Sequence, residues 1–338
     1  MMAAIRVGLA GYGLGGRAFH APLIRATPGL DLVAIATMKP VPDARTIADP
    51  MALAADPDID LLVISTPNET HFPLARAALE AGKHVVIDKP FAVTTDEADG
   101  LVALAKARGR MLTVFQNRRW DGDFLTVREL VESGRLGDIM LCEMSWDRFR
   151  LDLRDSWKDA GGEGTGLLFD LGSHLIDQAM LLFGPPEAIA ADLAVQRPQA
   201  IADDYFSLTL HYGARRVVLG CSTLVAAPRP RFALHGARGS FVKHGLDPQE
   251  AALNGGATPD GAGFGVEEAR WHGTFTAPEG SVETIETIPG RYLAFYAGVV
   301  EAIAGRAPPP VDPADSREGL RLIELARRSA AEGRTLAC

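Results

Sequence analysis

Apolar positions in the first third of the chain come in short unbroken runs, at 5–10, 32–36, 61–65, 85–88 and 111–115, and do not alternate with polar ones. Runs of four to six apolar residues between turn formers are what strands buried on both faces require. Segments with helical spacing, 72–81 and 95–108, lie between several of them. That rhythm predicts a doubly wound parallel sheet with helices on its faces. After about residue 120 the texture changes. A helix over 124–133 leads through Gly134 and Gly137 into longer segments that alternate or carry β-formers, at 139–149, 188–196, 205–211, 217–224 and 232–242. Little helix separates them, apart from 167–183 and 313–332, and 254–265 reads as a glycine-rich loop. The expectation is an α/β chain: a parallel doubly wound domain over 1–120, then an α+β domain over 121–338 with a large, mostly antiparallel, open-faced sheet.

Size and charge narrow the possibilities. A length of 338 residues exceeds one hydrophobic core, and 47% hydrophobic content can fill two. The net charge of -9 leaves no basic excess for a phosphate backbone, so nucleic acid is not an expected partner. No uncharged run approaches the roughly 20 residues that span a bilayer, and residues 1–10 run straight into an apolar strand with no leader pattern. Cys142, Cys221 and Cys338 have neither pairing distance nor metal-ligand spacing. A cytoplasmic protein without a metal site is expected.

Gly11-Tyr12-Gly13-Leu14-Gly15-Gly16 follows the first strand and opens a helix. Gly11 would permit the tight turn, Gly13 the approach of a pyrophosphate, and Gly16 close helix-to-strand packing. Dinucleotide binding is the expected use; a methyltransferase-like or purely structural turn has the same spacing. An NAD site usually places an acid at the end of the second strand, where it bonds the ribose hydroxyls. Here that position reads Ala36-Thr37-Met38-Lys39, and Asp31 is at the wrong end of its strand. A hydroxyl and a lysine suit a 2′-phosphate, which favours NADP with NAD still possible, although Lys39 also fits a solvated loop.

Two further clusters carry candidate chemistry. Asp88-Lys89-Pro90 sits at the carboxyl end of a buried strand, where open α/β sheets bind ligands. Lys89 there could donate to a carbonyl oxygen or shuttle a proton; an exposed strand-end lysine with Asp88 as surface partner fits the residues equally well. Asp170, His174 and Asp177 stand at i, i+4 and i+7, one face of a helix behind a glycine-rich loop. A carboxylate one turn from an imidazole can fix its tautomer for acid-base work. A solvated helix face is the plainer alternative.

In that order, the glycine turn, Ser65-Thr66-Pro67-Asn68 with His71, Asp88-Lys89-Pro90, and the Asp170, Gly172, His174, Asp177 helix resemble the glucose-fructose oxidoreductase, inositol dehydrogenase and MocA family over essentially the whole chain. The stretches 13–20 and 115–121, the latter Phe115-Gln116-Asn117-Arg118-Arg119-Trp120-Asp121, resemble the branch with NADP-dependent scyllo-inositol dehydrogenases. The resemblance implies hydride transfer between nicotinamide and a sugar or polyol. Lys89, Asp170 and His174 would line the reacting carbon. Gly11, Gly13, Leu14, Gly16, Thr37, Lys39, Ser65, Thr66, Pro67, Asn68, His71, Asp88, Lys89 and Gln116 would hold the cofactor.

Arg119, Trp120 and Trp157 are candidates for the substrate wall, since indoles pack on sugar C–H faces and arginine donates to hydroxyls; each also fits a packing role. A non-catalytic nucleotide- and sugar-binding regulator is the alternative on the same scaffold. Two departures stand out: aspartate at 88, where the family more often has glutamate, and too few residues between Thr37 and Ala44 for the usual crossing helix. Strands lacking helical cover predict a homodimer or homotetramer built on the second sheet.

Overall fold

The computed structural model describes residues 3–153, 161, 162 and 164–338. Two compact units form. The first joins Met1–Trp120 to Gln249–Phe264 and Arg291–Leu320; the second comprises Asp121–Pro248, Gly265–Gly290 and Arg321–Cys338. The expected contiguous stretch 121–338 is therefore interrupted twice by segments that return to the first unit.

In the first unit β1 (Ile5–Ala10), β2 (Leu30–Ala36), β3 (Arg45–Ile47), β4 (Leu61–Ile64), β5 (His84–Asp88) and β6 (Leu112–Phe115) form one sheet in the order β3-β2-β1-β4-β5-β6. Every neighbouring pair is parallel. The unbroken apolar runs follow from this: β4 and β6 are buried along their full lengths, with no face left for polar residues. Among the connecting helices are α1 (Ala21–Ala26), α2 (Pro50–Ala55), α3 (His71–Glu80) and α4 (Thr95–Arg108). α4 starts on a capping box of Thr94 and Glu97 and stops at left-handed Gly109.

No helix crosses between β2 and β3. Residues 37–44 turn directly into the parallel partner strand.

The returning segments complete the core of this unit. Tyr292, Phe295, Tyr296 and Val299 are buried with Leu9, Val63, Val86 and Phe115. Phe295 stands edge-on to Phe115, centroids 4.9 Å apart. Each such side chain contributes on the order of 1.5–3 kcal/mol by leaving water, so the sheet of residues 1–120 depends on chain that arrives 170 residues later.

The second unit opens with α5 (Gly122–Glu132) and is built on nine strands in the order β14-β13-β12-β11-β7-β10-β9-β8-β15. These are β7 (Ile139–Ser145), β8 (Ala188–Ala194), β9 (Tyr205–Tyr212), β10 (Arg215–Ser222), β11 (Phe232–Gly236), β12 (Gly239–Lys243), β13 (Gly273–Thr276), β14 (Val282–Ile285) and β15 (Leu336–Ala337). Apart from the parallel pair β7 and β10, the strands pair antiparallel. The segment 232–242, expected as one strand, is a hairpin closed by Gly236 opposite Gly239. Its two-residue loop is Ala237-Arg238, which lacks the Asn-Gly or Asp-Gly signal that announces such turns.

β9 alternates, with Phe206, Leu208 and Leu210 buried and Tyr205, Ser207 and Thr209 half-buried. One sheet face thus carries α6 (Ser173–Phe183) and the other is only partly covered. Among the described residues no helix is long and apolar enough to cross a membrane.

Candidate active site

The strand order of the first sheet reverses between β1 and β4, the position at which open α/β sheets bind ligands beyond the strand ends. Four of the loops expected to hold cofactor leave the carboxyl ends of adjacent strands there: Gly11–Gly16 after β1, Thr37–Lys39 after β2, Ser65–Asn68 after β4 and Asp88–Pro90 after β5. Gln116 follows β6 and is buried.

The glycines have separable roles. Gly11 has φ +98, and a Cβ there would fall on the Ser65 carbonyl. A Cβ on Gly16 would fall on the Gly11 carbonyl, so only glycine lets the helix close onto the strand. A Cβ on Gly13, by contrast, would meet nothing within 4 Å. The turn therefore has one glycine facing open space at a helix start, with exposed Leu14 beside it, which fits a pyrophosphate approaching backbone N–H groups. Thr37 is half-buried, its N–H bonded to the Ile47 carbonyl, while its hydroxyl accepts from the Lys39 N–H at 3.2 Å. The Lys39 side chain is exposed.

Asp88 is the hub of the next loop. Its Oδ2 accepts from Ser65 Oγ at 3.0 Å and lies 3.3 Å from His20 Nε2, while Oδ1 accepts from the Lys89 N–H at 2.8 Å. Burial works to raise its carboxyl, but the His20 imidazole 3.3 Å away, with the charges of Lys89 and His71, outweighs it and brings the value down to about 2. Asp88 is therefore an inward-turned anion and not a surface partner, and Lys89 itself is half-buried. The Lys89-Pro90 peptide is cis.

His71 lies between two of these loops. It is buried, with Nδ1 2.9 Å from the Pro90 carbonyl and Nε2 3.0 Å from the Thr66 carbonyl. Both ring nitrogens face main chain, so the ring ties the two loops together. Burial depresses its basicity, against the pull of Asp88 and the two carbonyls.

In the second unit Asp170 lies in a turn of π-helix, Leu168–Gly172, that runs into α6 carrying His174 and Asp177. Local sequence explains the start of this helix. Gly166 has φ +92 and leaves room for the Asp203 carboxylate, which accepts from the Leu168 N–H at 2.7 Å. A Cβ on Gly172 would meet Leu168 Cδ1 at 2.8 Å and Phe206 Cζ at 3.5 Å, so glycine lets the helix lie close on β9.

The solvated-face alternative fails. His174 and Asp177 are each 3% exposed, and residues 171–179 are buried all round. His174 stacks on Trp146, with centroids 6.1 Å apart and planes at 29°; the Arg231 guanidinium covers Trp146 at 4.7 Å and donates to Gln178 Oε1 at 2.7 Å.

The proposed substrate wall is less uniform. Arg119 bonds Asp315 at 3.2 Å, and Trp120 stands edge-on to Phe295 at 5.6 Å, packed on the core of the first unit. Trp157 lies outside the described residues. Sequence reading missed His20, Trp146, Arg231 and Tyr296. His20 alone left a signal, as the last residue of the 13–20 stretch that carries the resemblance.

Comparison with known proteins agrees with this architecture. Residues 5–116 match the Gfo/Idh/MocA model described as an oxidoreductase family NAD-binding Rossmann fold, and 128–338 the model of that family's C-terminal alpha/beta domain. The uncharacterized oxidoreductase YdgJ of Escherichia coli is 47% identical, with 98% of each chain covered. The scyllo-inositol 2-dehydrogenase (NADP(+)) IolW of Bacillus subtilis is 38% identical over 98% of this chain and 95% of its own. The solved structure of yvaA from Bacillus subtilis superimposes with a TM-score of 0.96 at 37% identity, covering 100% of this chain and 99% of that one. The chain belongs to the Gfo/Idh/MocA oxidoreductase family.

Proposed function

We propose that this oxidoreductase transfers hydride between NADP(H) and a secondary alcohol or ketone of a cyclic polyol or sugar. The observation that carries the reading is Lys89 at the carboxyl edge of β5, its main-chain N–H bonded to the half-buried Asp88 carboxylate, in the unit that bears the dinucleotide turn. A nicotinamide ring, when bound, supplies the hydride acceptor or donor. In the oxidative direction His174 takes the hydroxyl proton, Asp170 orients the pair and Lys89 stabilises the developing oxyanion; in reverse His174 donates the proton and Lys89 polarises the carbonyl. The 38% identity to IolW supports an inositol-like substrate and NADP.

The cofactor preference rests on the second strand. No acid stands at 36–39, so nothing there rewards the ribose hydroxyls or repels a 2′-phosphate, and exposed Lys39 with the Thr37 hydroxyl offers donors. A partly exposed contact of this kind contributes about 1–2 kcal/mol, or about 5- to 30-fold in affinity.

The test is oxidation of NADPH and NADH against a panel of inososes, aldoses and ketoses, and reduction of NADP+ with scyllo-inositol, followed by kcat/KM for each cofactor in Lys39→Ala and Thr37→Asp. NADPH preferred by wild type and eroded by both substitutions is the expected result. Preference for NADH, or a ratio indifferent to both, overturns the cofactor reading; no turnover of any polyol or sugar overturns the substrate class.

A further inference from the structure

A chain of buried polar groups runs inward from Asp88 and ends on a residue from the other end of the sequence. His20 has no exposed surface; its Nδ1 is 2.6 Å from the hydroxyl of Tyr296, which lies on helix Leu293–Ile303, and its Nε2 is 3.3 Å from Asp88 Oδ2. The ring is wedged against Phe115, centroids 4.3 Å apart, and meets Tyr296 edge-on.

The arrangement fixes where the protons are. Burial, with the Asp88 charge, holds the Tyr296 hydroxyl well above its ordinary value, so it stays a phenol. With the phenol donating to Nδ1, the ring's own proton sits on Nε2, on the side of Asp88. Nε2 lies 3.3 Å from Asp88 Oδ2, a close contact without hydrogen-bond alignment, so the imidazole acts on the carboxylate by proximity and polarity. Both carboxylate oxygens of Asp88 are then engaged, Oδ1 by the Lys89 main chain and Oδ2 by the Ser65 hydroxyl, with His20 Nε2 3.3 Å from Oδ2.

From this juxtaposition we propose that His20, braced by Tyr296, is a positioning residue for Lys89, acting through the Asp88 carboxylate. This rests on the reading of Lys89 as the group that meets substrate. The histidine draws the Asp88 charge away from the lysine ammonium and fixes the carboxylate to which the Lys89 backbone is bonded. Four elements bear on the pair: the glycine-turn helix through His20, the β4 loop through Ser65, α3 through His71, with Glu69 just before it, and helix Leu293–Ile303 through Tyr296. His71 grips the following carbonyl, Pro90, so Lys89 is bracketed on both sides by buried imidazoles.

The test compares wild type, Lys89→Met, His20→Gln and the double variant His20→Phe/Tyr296→Phe, which keeps both aromatic volumes and leaves no phenol without its partner. The first measurement needs no substrate: lysines are reductively ¹³C-methylated, the Lys89 resonance is assigned by its loss in Lys89→Met, and its titration is followed by NMR. Removing the His20 imidazole frees the Asp88 charge to act on the ammonium, so Lys89 titrates at higher pH in the double variant and near the wild-type position in His20→Gln, whose amide keeps a polar group beside the carboxylate.

The second measurement is scyllo-inositol oxidation with NADP+, or turnover of whichever polyol or sugar the panel identifies. It should show kcat lower by about 10-fold or more in the double variant, with KM for cofactor little changed, and no further loss when the two changes are added to Lys89→Met. An unmoved Lys89 titration overturns the proposal, as does a loss of kcat that persists unchanged in the Lys89→Met background. Should Lys89→Met itself turn over normally, the catalytic reading of Lys89 falls, and the titration alone decides whether His20 governs it.

Discussion

Alanine at Gly13 and alanine at Gly16 are the same chemical change three residues apart, and the structure assigns them opposite consequences. At Gly13 the added methyl enters open space and the backbone lies outside the left-handed region. Restricting the unfolded chain then stabilises by about 0.4–1 kcal/mol, up to about 4 °C in Tm. At Gly16 the methyl lands on the Gly11 carbonyl, a main-chain atom that cannot rotate away. Overpacking of this kind costs about 1–3 kcal/mol.

Cofactor affinity reverses the order of interest. If the space before Gly13 is where the pyrophosphate approaches, its methyl displaces a charged group from backbone donors, and each such hydrogen bond contributes about 1.5–3 kcal/mol. The expected result is NADPH binding weakened by about 10- to 100-fold in a protein that melts no lower than wild type. Thermal melts and NADPH fluorescence titration on the two variants measure both quantities. A Gly13→Ala protein that binds NADPH as tightly as wild type would refute the cradle. One that melts several degrees lower would refute the geometry from which the cradle was argued.

Three other outcomes follow from the same structure. Lys89→Met should leave NADPH binding and Tm nearly intact, whereas His174→Ala, which removes a buried ring from Trp146, should leave NADPH binding intact but lower Tm by a few degrees; in each, turnover should fall by roughly 100-fold or more, and near-normal rates in both would remove them from the chemistry. Asp88 has a folded carboxyl near 2 against an ordinary 3.8, so it contributes about 2 kcal/mol of stability that is present above pH 5 and lost as pH falls through 4 toward 2. Urea midpoints of Asp88→Asn should lack that part of the acid limb, and curves parallel to wild type would contradict the shift. The half-covered face of the second sheet, with Tyr205, Ser207 and Thr209 along β9, should pair with a second copy to give a dimer or tetramer by light scattering; a monomer at micromolar concentration would show that the face is stable in water.

The parallel sheet was legible because burial on both faces leaves strands no polar positions, and unbroken runs such as 61–65 cannot be mistaken for half-exposed ones. Boundaries blurred where local signals were weak. The hairpin at Ala237-Arg238 has no turn residues to announce it, and β14 carries Val282, Glu283 and Thr284 on an edge too exposed to show a pattern. The helix with Asp170 and His174 was found by spacing, but periodicity could not decide whether its polar residues face water. A stripe of Asp, His and Asp reads the same in solvent as when His174 and Asp177 are buried and the imidazole stacks on Trp146.

What the sequence could not offer is long-range closure. His20 and Tyr296 are 276 positions apart, and no local rule connects an imidazole just before α1 to a phenol in a segment read as part of the second domain. The same closure holds Arg118 Nη1 on the Tyr292 hydroxyl at 2.7 Å and the Thr113 hydroxyl on the Val311 carbonyl at 2.8 Å. Thr113 and His20 are fully buried polar groups, and a polar group buried without its partner costs about 1–3 kcal/mol. Residues 1–120 alone would strand these groups together with the apolar surface that Phe295, Tyr296 and Val299 cover. The first unit is thus defined by which buried groups find partners and not by where the strand rhythm stops. The helix that completes its core also carries the phenol that braces His20 toward Asp88, so the stability of the dinucleotide fold and the placement of Lys89 depend on the same returning segment.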